Sequence, residues 1–247
     1  MRSLAPDNPV SLAHMEPQVG LTQRLRAALS AAGDPERALA QQAYLKSEMP
    51  HYGIGSPELK VLLRPFLAEF KPANRAEWEQ TVRTLWDGAT HREERYAAIA
   101  YAQHRRAKQW QAPDALDLYQ HLISTGAWWD LVDTVAGDLV GGVLLSHTRK
   151  TTPTMREWAV SDDLWLRRAA VLSQLKHGAE TDLNLLSYVI EVNVEDTSFW
   201  LRKAIGWALR QYARTDPEWV RSEVDLLGTR LSGLSRREAL KHLGGSE

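Results

Sequence analysis

Residues 165–170 read WLRRAA and residues 200–205 read WLRKAI, so nearly the same hexapeptide returns after 35 residues. The same step leads on to RREAL at 236–240, and steps of 36 lead back to WDLVD at 129–133 and to YAAI at 96–99. Chance similarity between short Ala- and Arg-rich helices is the alternative, but tryptophan recurs with the basic pair at one offset. A period of 35–36 residues with two helices per unit is typical of an α-solenoid. We therefore predict an all-α solenoid of HEAT-like helical repeats.

Helix start signals support this fold class. Residues 34–36, 56–58 and 216–218 each place Asp or Ser at the N-cap, then Pro at the first helical position, then Glu in the first turn. Ser235 and Glu238 have the spacing of a capping box. Alternating runs of β-branched residues are scarce, so the sequence predicts about a dozen helices and no sheet.

The chain shows no break that would mark a second domain. No Gly/Ser- or Pro-rich linker follows residue 20, so residues 20–247 are predicted to form a single domain. Residues 1–19 contain three prolines and are expected to be a loosely ordered N-terminal arm. No signal-peptide core or membrane-length apolar run is found, so we expect a cytoplasmic protein without membrane contact.

Composition and motifs exclude several kinds of site. The chain has no cysteine, which excludes disulfides, thiolate zinc sites and cysteine nucleophiles. Eight histidines are present, but no His-Glu-x-x-His motif occurs, and Pro50 interrupts the one Glu-x-x-His pair. Phosphate loops, Gly-x-Gly-x-x-Gly and Gly-x-Ser-x-Gly motifs are also absent from the sequence. We therefore predict no metal and no cofactor. The net charge of −1 argues against a strongly basic nucleic-acid binder but allows one basic face.

The densest cluster of chemically useful side chains is WWDLVD at 128–133. Trp129 and Asp133 are four residues apart, so on a helix they share a face. A helix start with a core tryptophan is the alternative interpretation. If the repeats stack in register, Arg168 lies near Asp133 on a neighbouring helix, either as part of a site or as an ordinary salt bridge. Trp207 follows one repeat later and could equally be a core residue.

Six segments in this order resemble the AlkD-type DNA alkylation repair glycosylases. They are HYGIGSPELKVLL (51–63), LWDGATHREERYAAI (85–99), WWDLVDTVAGDLVG (128–141), DDLWLRRAAVLSQLK (162–176), WLRKAIGWALRQYART (200–215) and LSRREALKHL (234–243). The resemblance spans about residues 22–245. It implies an α-solenoid whose concave basic face cradles duplex DNA. It also implies removal of purines alkylated at N3 or N7, such as 3-methyladenine and 7-methylguanine, without flipping of the base.

The resemblance also implies site residues. Asp133 matches the catalytic carboxylate of the family, and Trp129 and Trp207 match its two active-site tryptophans. Arg168 matches the cleft arginine, and Tyr44 falls where the family has an aromatic residue near the lesion. Further candidates for DNA contact are basic residues expected on successive inner helices, namely Lys176, Lys203, Arg210, Arg95, Arg105, Arg106 and Arg237.

The chemistry of this reaction agrees with what the sequence contains. Alkylation makes the base cationic and a good leaving group, so the enzyme has to stabilise the sugar cation and place a water. No lysine stands beside the Trp-Asp cluster in the sequence, which predicts a monofunctional glycosylase. The expected partner is alkylated double-stranded DNA. The protein is expected to be a monomer associated with the nucleoid of a bacterium. A non-catalytic HEAT-repeat module for branched or damaged DNA and a protein-binding scaffold are the alternatives from other classes. The preference between the two lesions stays open.

Overall fold

The computed structural model describes residues 16–243, with side chains from residue 20 onward. Within this range every regular element is helical: fourteen α-helices, several short 3-10 turns and one π-helical segment, with no strand. The all-α prediction is therefore confirmed. No helix in the described range is long and apolar enough to cross a membrane.

The chain divides into two compact units, with the boundary between His104 and Arg105. The prediction of a single domain over residues 20–247 stays a prediction. The first unit contains α1 (Glu16–Ala31), α2 (Pro35–Leu45), α3 (Ser56–Glu69), α4 (Arg75–Asp87) and α5 (Arg92–Ala102). Helix α1 thus begins inside the segment 1–19 that was expected to be an arm, and residues 1–15 of that segment lie outside the described range.

The second unit contains the remaining helices. A π-helical segment, Val135–Val140, joins α7 to α8 without a break. The α-helices of this unit are α6 (Leu116–Gly126), α7 (Trp129–Thr134), α8 (Gly141–Ser146), α9 (Thr148–Ala159), α10 (Leu164–Leu172), α11 (Leu183–Glu191), α12 (Phe199–Tyr212), α13 (Pro217–Leu227) and α14 (Gly233–Ala239).

Helices of the second unit pack as the repeat predicts. Helix α7 packs against α10, α10 against α12, and α12 against α14, so helices about 35 residues apart in the chain are neighbours. Helices α9, α11 and α13 alternate with them along the chain and pack against α10 or α12. Each repeat is therefore a helix pair whose apolar face is buried by the next pair. The predicted α-solenoid of helical repeats is confirmed.

Two of the predicted helix caps are confirmed. Asp34 accepts the backbone N–H of Arg37 at 3.0 Å, and Asp216 accepts the backbone N–H of Trp219 at 2.9 Å. In both helices the first helical residue is proline, whose missing N–H costs nothing at that position.

The other two predicted caps are wrong. Gly55 is the N-cap of α3, and Ser56 is already helical, because the Glu58 carboxylate accepts the backbone N–H of Gly55 at 3.0 Å. In α14 the cap is Ser232, whose hydroxyl oxygen accepts the backbone N–H of Ser235 at 3.0 Å. Ser235 lies inside that helix and is buried, so it does not begin a capping box.

Candidate active site

A buried ion pair between α7 and α10 lies at the centre of the candidate site. Arg168 donates from Nε to Asp133 Oδ1 at 2.7 Å and from Nη2 to Asp133 Oδ2 at 2.8 Å, in a bidentate contact. Its Nη1 donates to the backbone carbonyl oxygen of Trp200 on α12. Arg168 is only 4% exposed. Three successive repeats thus hold one guanidinium, and that guanidinium holds the carboxylate.

The environment of Asp133 shifts its acidity in two opposite directions. Burial raises the pKa of Asp133, while the hydrogen bonds and the charge of Arg168 lower it, and the net pKa lies above the ordinary value of an aspartic acid. Burial disfavours the charged form of a carboxyl group, and a cation in contact favours it. Arg168 therefore favours the ionised form of this carboxylate against the effect of burial.

The carboxylate of Asp133 faces a cleft of about 290 Å³. Trp207 on α12 lines the same cleft, as does Lys176, which follows α10. The other lining residues are Thr134, Gly137, Asp138, Leu175 and Gln211. Helices α7 and α12 and the segment that follows α10 therefore bring an anion, an indole and an ammonium group into one space within the second unit.

The π-helical segment begins two residues after Asp133 and supplies two of the lining residues. It carries Gly137 and Asp138, and π-helical turns are frequent at functional sites. At its end, a Cβ on Gly141 would lie 2.5 Å from the carbonyl oxygen of Ser173, so only glycine permits this approach to the end of α10. Nothing in the sequence pattern pointed to this segment.

The two candidate tryptophans are placed differently. Trp207 lines the cleft with Asp133. Trp129 is the first residue of α7, four residues before Asp133 and partly buried, but it is not among the residues that line the cleft. The structure therefore brings Trp207 to the carboxylate and leaves the role of Trp129 a prediction.

A cluster of three indoles contacts the ion pair through Trp200. The ring centroids of Trp128, Trp165 and Trp200 lie 5.4–6.0 Å apart, each ring in contact with the other two. The repeat alignment placed Trp129 opposite Trp165, but the structure packs Trp128 there, since Trp128 is the extended N-cap residue that precedes α7. The guanidinium carbon of Arg168 lies 5.9 Å from the Trp200 ring centroid. Trp200 therefore fixes Arg168 with both its ring and its carbonyl group.

A lysine lines the cleft although none is near the Trp-Asp cluster in sequence. No lysine was expected beside the Trp-Asp cluster, because none is near it in sequence. Lys176 reaches the cleft since it lies one repeat after the cluster, and its ammonium group pairs with Asp138. The side chain of Lys176 is 66% exposed.

The other predicted DNA contacts are spread over both units. Lys203 and Arg210 on α12 both pair with Glu238 on α14. In the first unit, Tyr44 on α2 is 76% exposed and Arg95 lies over the ring of Trp86 with a 4.9 Å separation. The three remaining arginines, Arg105, Arg106 and Arg237, are exposed in the second unit. Among the described residues no group of three His, Asp or Glu side chains is arranged to hold a metal ion.

Comparisons with known proteins agree with this architecture. The family model described as DNA alkylation repair enzyme matches residues 25–243. A solved structure described as a predicted DNA alkylation repair enzyme from Enterococcus faecalis is 30% identical, with a TM-score of 0.78, and the match covers 87% of this chain and 98% of that one. A second structure, smu.31 from Streptococcus mutans, shares the fold at 20% identity, with a TM-score of 0.56 and coverage of 74% and 92%. A comparison with curated proteins found no match. Since the family model spans most of the sequence, the chain belongs to the DNA alkylation repair enzyme family.

Proposed function

We propose that the protein is a DNA glycosylase that hydrolyses the N-glycosidic bond of cationic N3- or N7-alkylpurines in duplex DNA, as the first step of base excision repair. The observation that carries the proposal is the Asp133 carboxylate, held bidentately by Arg168 in a cleft that it shares with Trp207. Membership of the repair family supplies the class of substrate, and the cleft supplies the chemistry.

The reaction fits a site that contains a fixed anion. When the bond between C1′ and the purine nitrogen breaks, its electron pair goes to the base, which becomes neutral, and positive charge develops on the sugar. A carboxylate about 4 Å from that charge contributes at most about 4 kcal/mol at an intermediate effective dielectric, or roughly a thousandfold in rate, because the Arg168 guanidinium in contact with Asp133 opposes part of its field. Water then adds its oxygen to C1′ and releases a proton. The products are the free base and an abasic site.

The cleft suits the sugar better than a flipped base. Enzymes that flip a base hold it between aromatic or apolar side chains and read its Watson–Crick edge with hydrogen bonds. This cleft has one indole, two carboxylates and an ammonium group, a set that complements a cationic sugar beside a phosphate. We therefore propose excision without base flipping.

Lys176 does not change the proposed reaction class. A lyase reaction would need an amine with a free electron pair to attack C1′. The ammonium group of Lys176 is engaged by Asp138, so we propose that the enzyme is monofunctional and that Lys176 contacts a phosphate. Lys203, Arg210 and Tyr44 are proposed as further DNA contacts. Arg168 is proposed to act through Asp133 instead of on phosphate, because Nε, Nη1 and Nη2 are all engaged within the protein.

Incubation with duplex DNA that contains 7-methylguanine tests the proposal directly. Free base is measured by chromatography against a sample without protein. Release well above the spontaneous rate is expected, with DNA binding that weakens steeply as salt increases. No release above the spontaneous rate would overturn the glycosylase assignment and leave a non-catalytic DNA-binding module or a protein scaffold. A DNA affinity that does not change with salt concentration would favour the protein scaffold.

Removing the indole from the cleft should slow base release moderately. An indole beside a developing cation contributes about 0.5–2 kcal/mol by cation–π contact, so Trp207→Leu is expected to lower the single-turnover rate about tenfold. Trp219→Leu is the matched control, because Trp219 packs edge-on against Tyr212 and does not line the cleft. Equal losses in the two variants would show that Trp207 acts only through folding.

A further inference from the structure

An ion-pair cluster joins α12 and α14 outside the catalytic cleft. Glu238 accepts a hydrogen bond from Lys203 Nζ at 3.0 Å on Oε1 and from Arg210 Nη1 at 2.6 Å on Oε2. Lys203 and Arg210 are seven residues apart, which is two helical turns, so they lie on one face of α12. One carboxylate therefore bridges two cations that follow each other along a helix face.

The backbone contact between the two helices fixes the position of this carboxylate. A Cβ on Gly206 would lie 2.5 Å from Glu238 Cβ, so the helices touch where Glu238 stands. The hydroxyl of Ser235 donates to the carbonyl oxygen of Arg202 at 2.8 Å and ties α14 to α12 one turn earlier. Glu238 thus projects from a rigid contact instead of from a loose chain end.

The cluster repeats the arrangement of the catalytic ion pair. Residues 133, 168, 203 and 238 follow one another at steps of 35 on α7, α10, α12 and α14. Asp133 pairs with Arg168 at the first two positions, and Lys203 pairs with Glu238 at the last two. The second pair reverses the order of the charges and adds Arg210, so it carries a net charge of +1 where the first is neutral.

Both cations keep hydrogen-bond donors for an external anion. An ammonium group has three N–H donors and a guanidinium has five. Among the described residues, each uses one donor on Glu238 and makes no other side-chain hydrogen bond. The side chains of Lys203 and Arg210 are 37% and 23% exposed, while that of Glu238 is 17% exposed. Both cations are therefore more exposed than the carboxylate and keep unused donors, so an anion can add without displacing it.

We propose that Glu238 is a positioning residue that holds Lys203 and Arg210 as a two-pronged clamp for one backbone phosphodiester of DNA. The clamp rests on the proposed function, since it assumes that DNA is the ligand. A phosphodiester carries one negative charge, and Lys203, Arg210 and Glu238 together carry a net charge of +1, to which Lys241 adds a further cation near Glu238. Without Glu238 the two cations repel each other and sample many rotamers, so the clamp loses its order before DNA arrives. The hydrogen bond from Lys203 is the chief cause of a lowered pKa of Glu238, which favours its ionised form.

Binding of an unmodified duplex tests the clamp independently of base release. Fluorescence anisotropy at several salt concentrations compares the wild-type chain with Glu238→Gln, Lys203→Gln and Arg210→Gln. Each cation variant should weaken binding and reduce the salt slope by about one. Glu238→Gln should weaken binding about three- to fivefold with the salt slope unchanged, because the same cations still meet phosphate. Glu218→Gln, which breaks an exposed pair with Arg221 on α13, is the matched control and should leave binding unchanged.

A double-substitution background separates positioning from folding. If Glu238 acts through the two cations, Glu238→Gln has no further effect on binding in a chain that already carries Lys203→Gln and Arg210→Gln. A loss that persists in this background would overturn the clamp and assign Glu238 a structural role. Tighter binding by Glu238→Gln would also overturn it and mean that the carboxylate competes with phosphate. A wild-type chain that binds no DNA would contradict the proposed function itself. The other outcomes would leave the proposed base release unaffected.

Discussion

Replacement of Asp133 by asparagine is expected to lower the single-turnover rate of base release by up to about a thousandfold, from the loss of at most about 4 kcal/mol of transition-state stabilisation. The amide keeps the shape of the side chain but removes the charge that faces the sugar cation. It also leaves the buried Arg168 without its anion, so the folded fraction of the variant is measured before its rate. The ground-state complex carries much less charge on the sugar, so the dissociation constant for DNA should change little. The measurement is base release from 7-methylguanine duplex at saturating enzyme, with the dissociation constant measured separately by anisotropy.

Asp138→Asn is the matched control for this variant. Asp138 lines the same cleft five residues later but pairs with Lys176 at a position that is more exposed. Its loss should slow release far less than the loss of Asp133. Similar rates for the two variants would contradict a special role for Asp133. Equal losses of release and of DNA binding in Asp133→Asn would instead assign Asp133 to folding.

The pH dependence of the wild-type enzyme follows from the same carboxylate. Catalysis needs the ionised form, so the rate should fall as pH decreases through the pKa of Asp133. Burial raises that pKa above the ordinary value, so activity should be lost at a higher pH than an exposed aspartate would give. This acid limb belongs to the single-turnover rate and should disappear in Asp133→Asn.

The 35-residue period was sufficient to predict the central contact of the site. Stacking repeats bring residues one period apart together, and Asp133 and Arg168 differ by 35 in number, so the period alone predicts their pairing. The same step joins Lys203 to Glu238, and that contact was available in the sequence but was missed. Lys203 and Arg210 were predicted only as DNA contacts, although Glu238 stands one period after Lys203.

Other parts of the site depend on geometry that the repeat does not encode. The cleft residues Gly137 and Asp138 lie in a π-helical turn, which the repeat period does not predict. Lys176 reaches the same space from beyond the end of α10. The exchange of Trp129 for Trp128 in the indole cluster has a similar local cause, because the residue before α7 is extended. The repeat period varies between 35 and 36 residues, so it does not predict a shift of one residue at a helix start.

Replacement of Arg168 by leucine is expected to cost about 3–5 kcal/mol of folding stability at neutral pH, because it leaves the Asp133 carboxylate buried without its cation. The carbonyl group of Trp200 loses its donor at the same time. Base release should also fall, since the pKa of Asp133 rises further and its ionised fraction decreases. Arg167→Leu is the matched control. Arg167 pairs with Asp196 where both side chains are about a quarter exposed, and its loss should cost no more than about 1 kcal/mol.

Urea unfolding between pH 4 and pH 8 identifies the cause of that instability. In Arg168→Leu the folded-state pKa of Asp133 lies above its unfolded value. The folded chain therefore keeps the Asp133 proton up to a higher pH than the unfolded chain does. Such a group contributes stability that is fully present below the unfolded pKa and is lost as pH rises through the folded pKa. The stability deficit of the variant relative to the wild type should therefore be smallest in acid and grow toward neutral pH. A deficit that is constant across this range would mean that lost packing, not an unpaired charge, is the cause.

The double variant Arg168→Leu with Asp133→Leu separates stability from catalysis. Removal of both charges eliminates the unpaired carboxylate, and replacement of a buried ion pair by apolar side chains is often neutral or stabilising. We therefore expect the double variant to recover most of the stability lost by Arg168→Leu while base release stays at the level of Asp133→Asn or below. Recovery of stability without activity would show that the pair is retained for the reaction and not for the fold. A double variant as unstable as the single one would assign Arg168 a packing role against Trp200 instead.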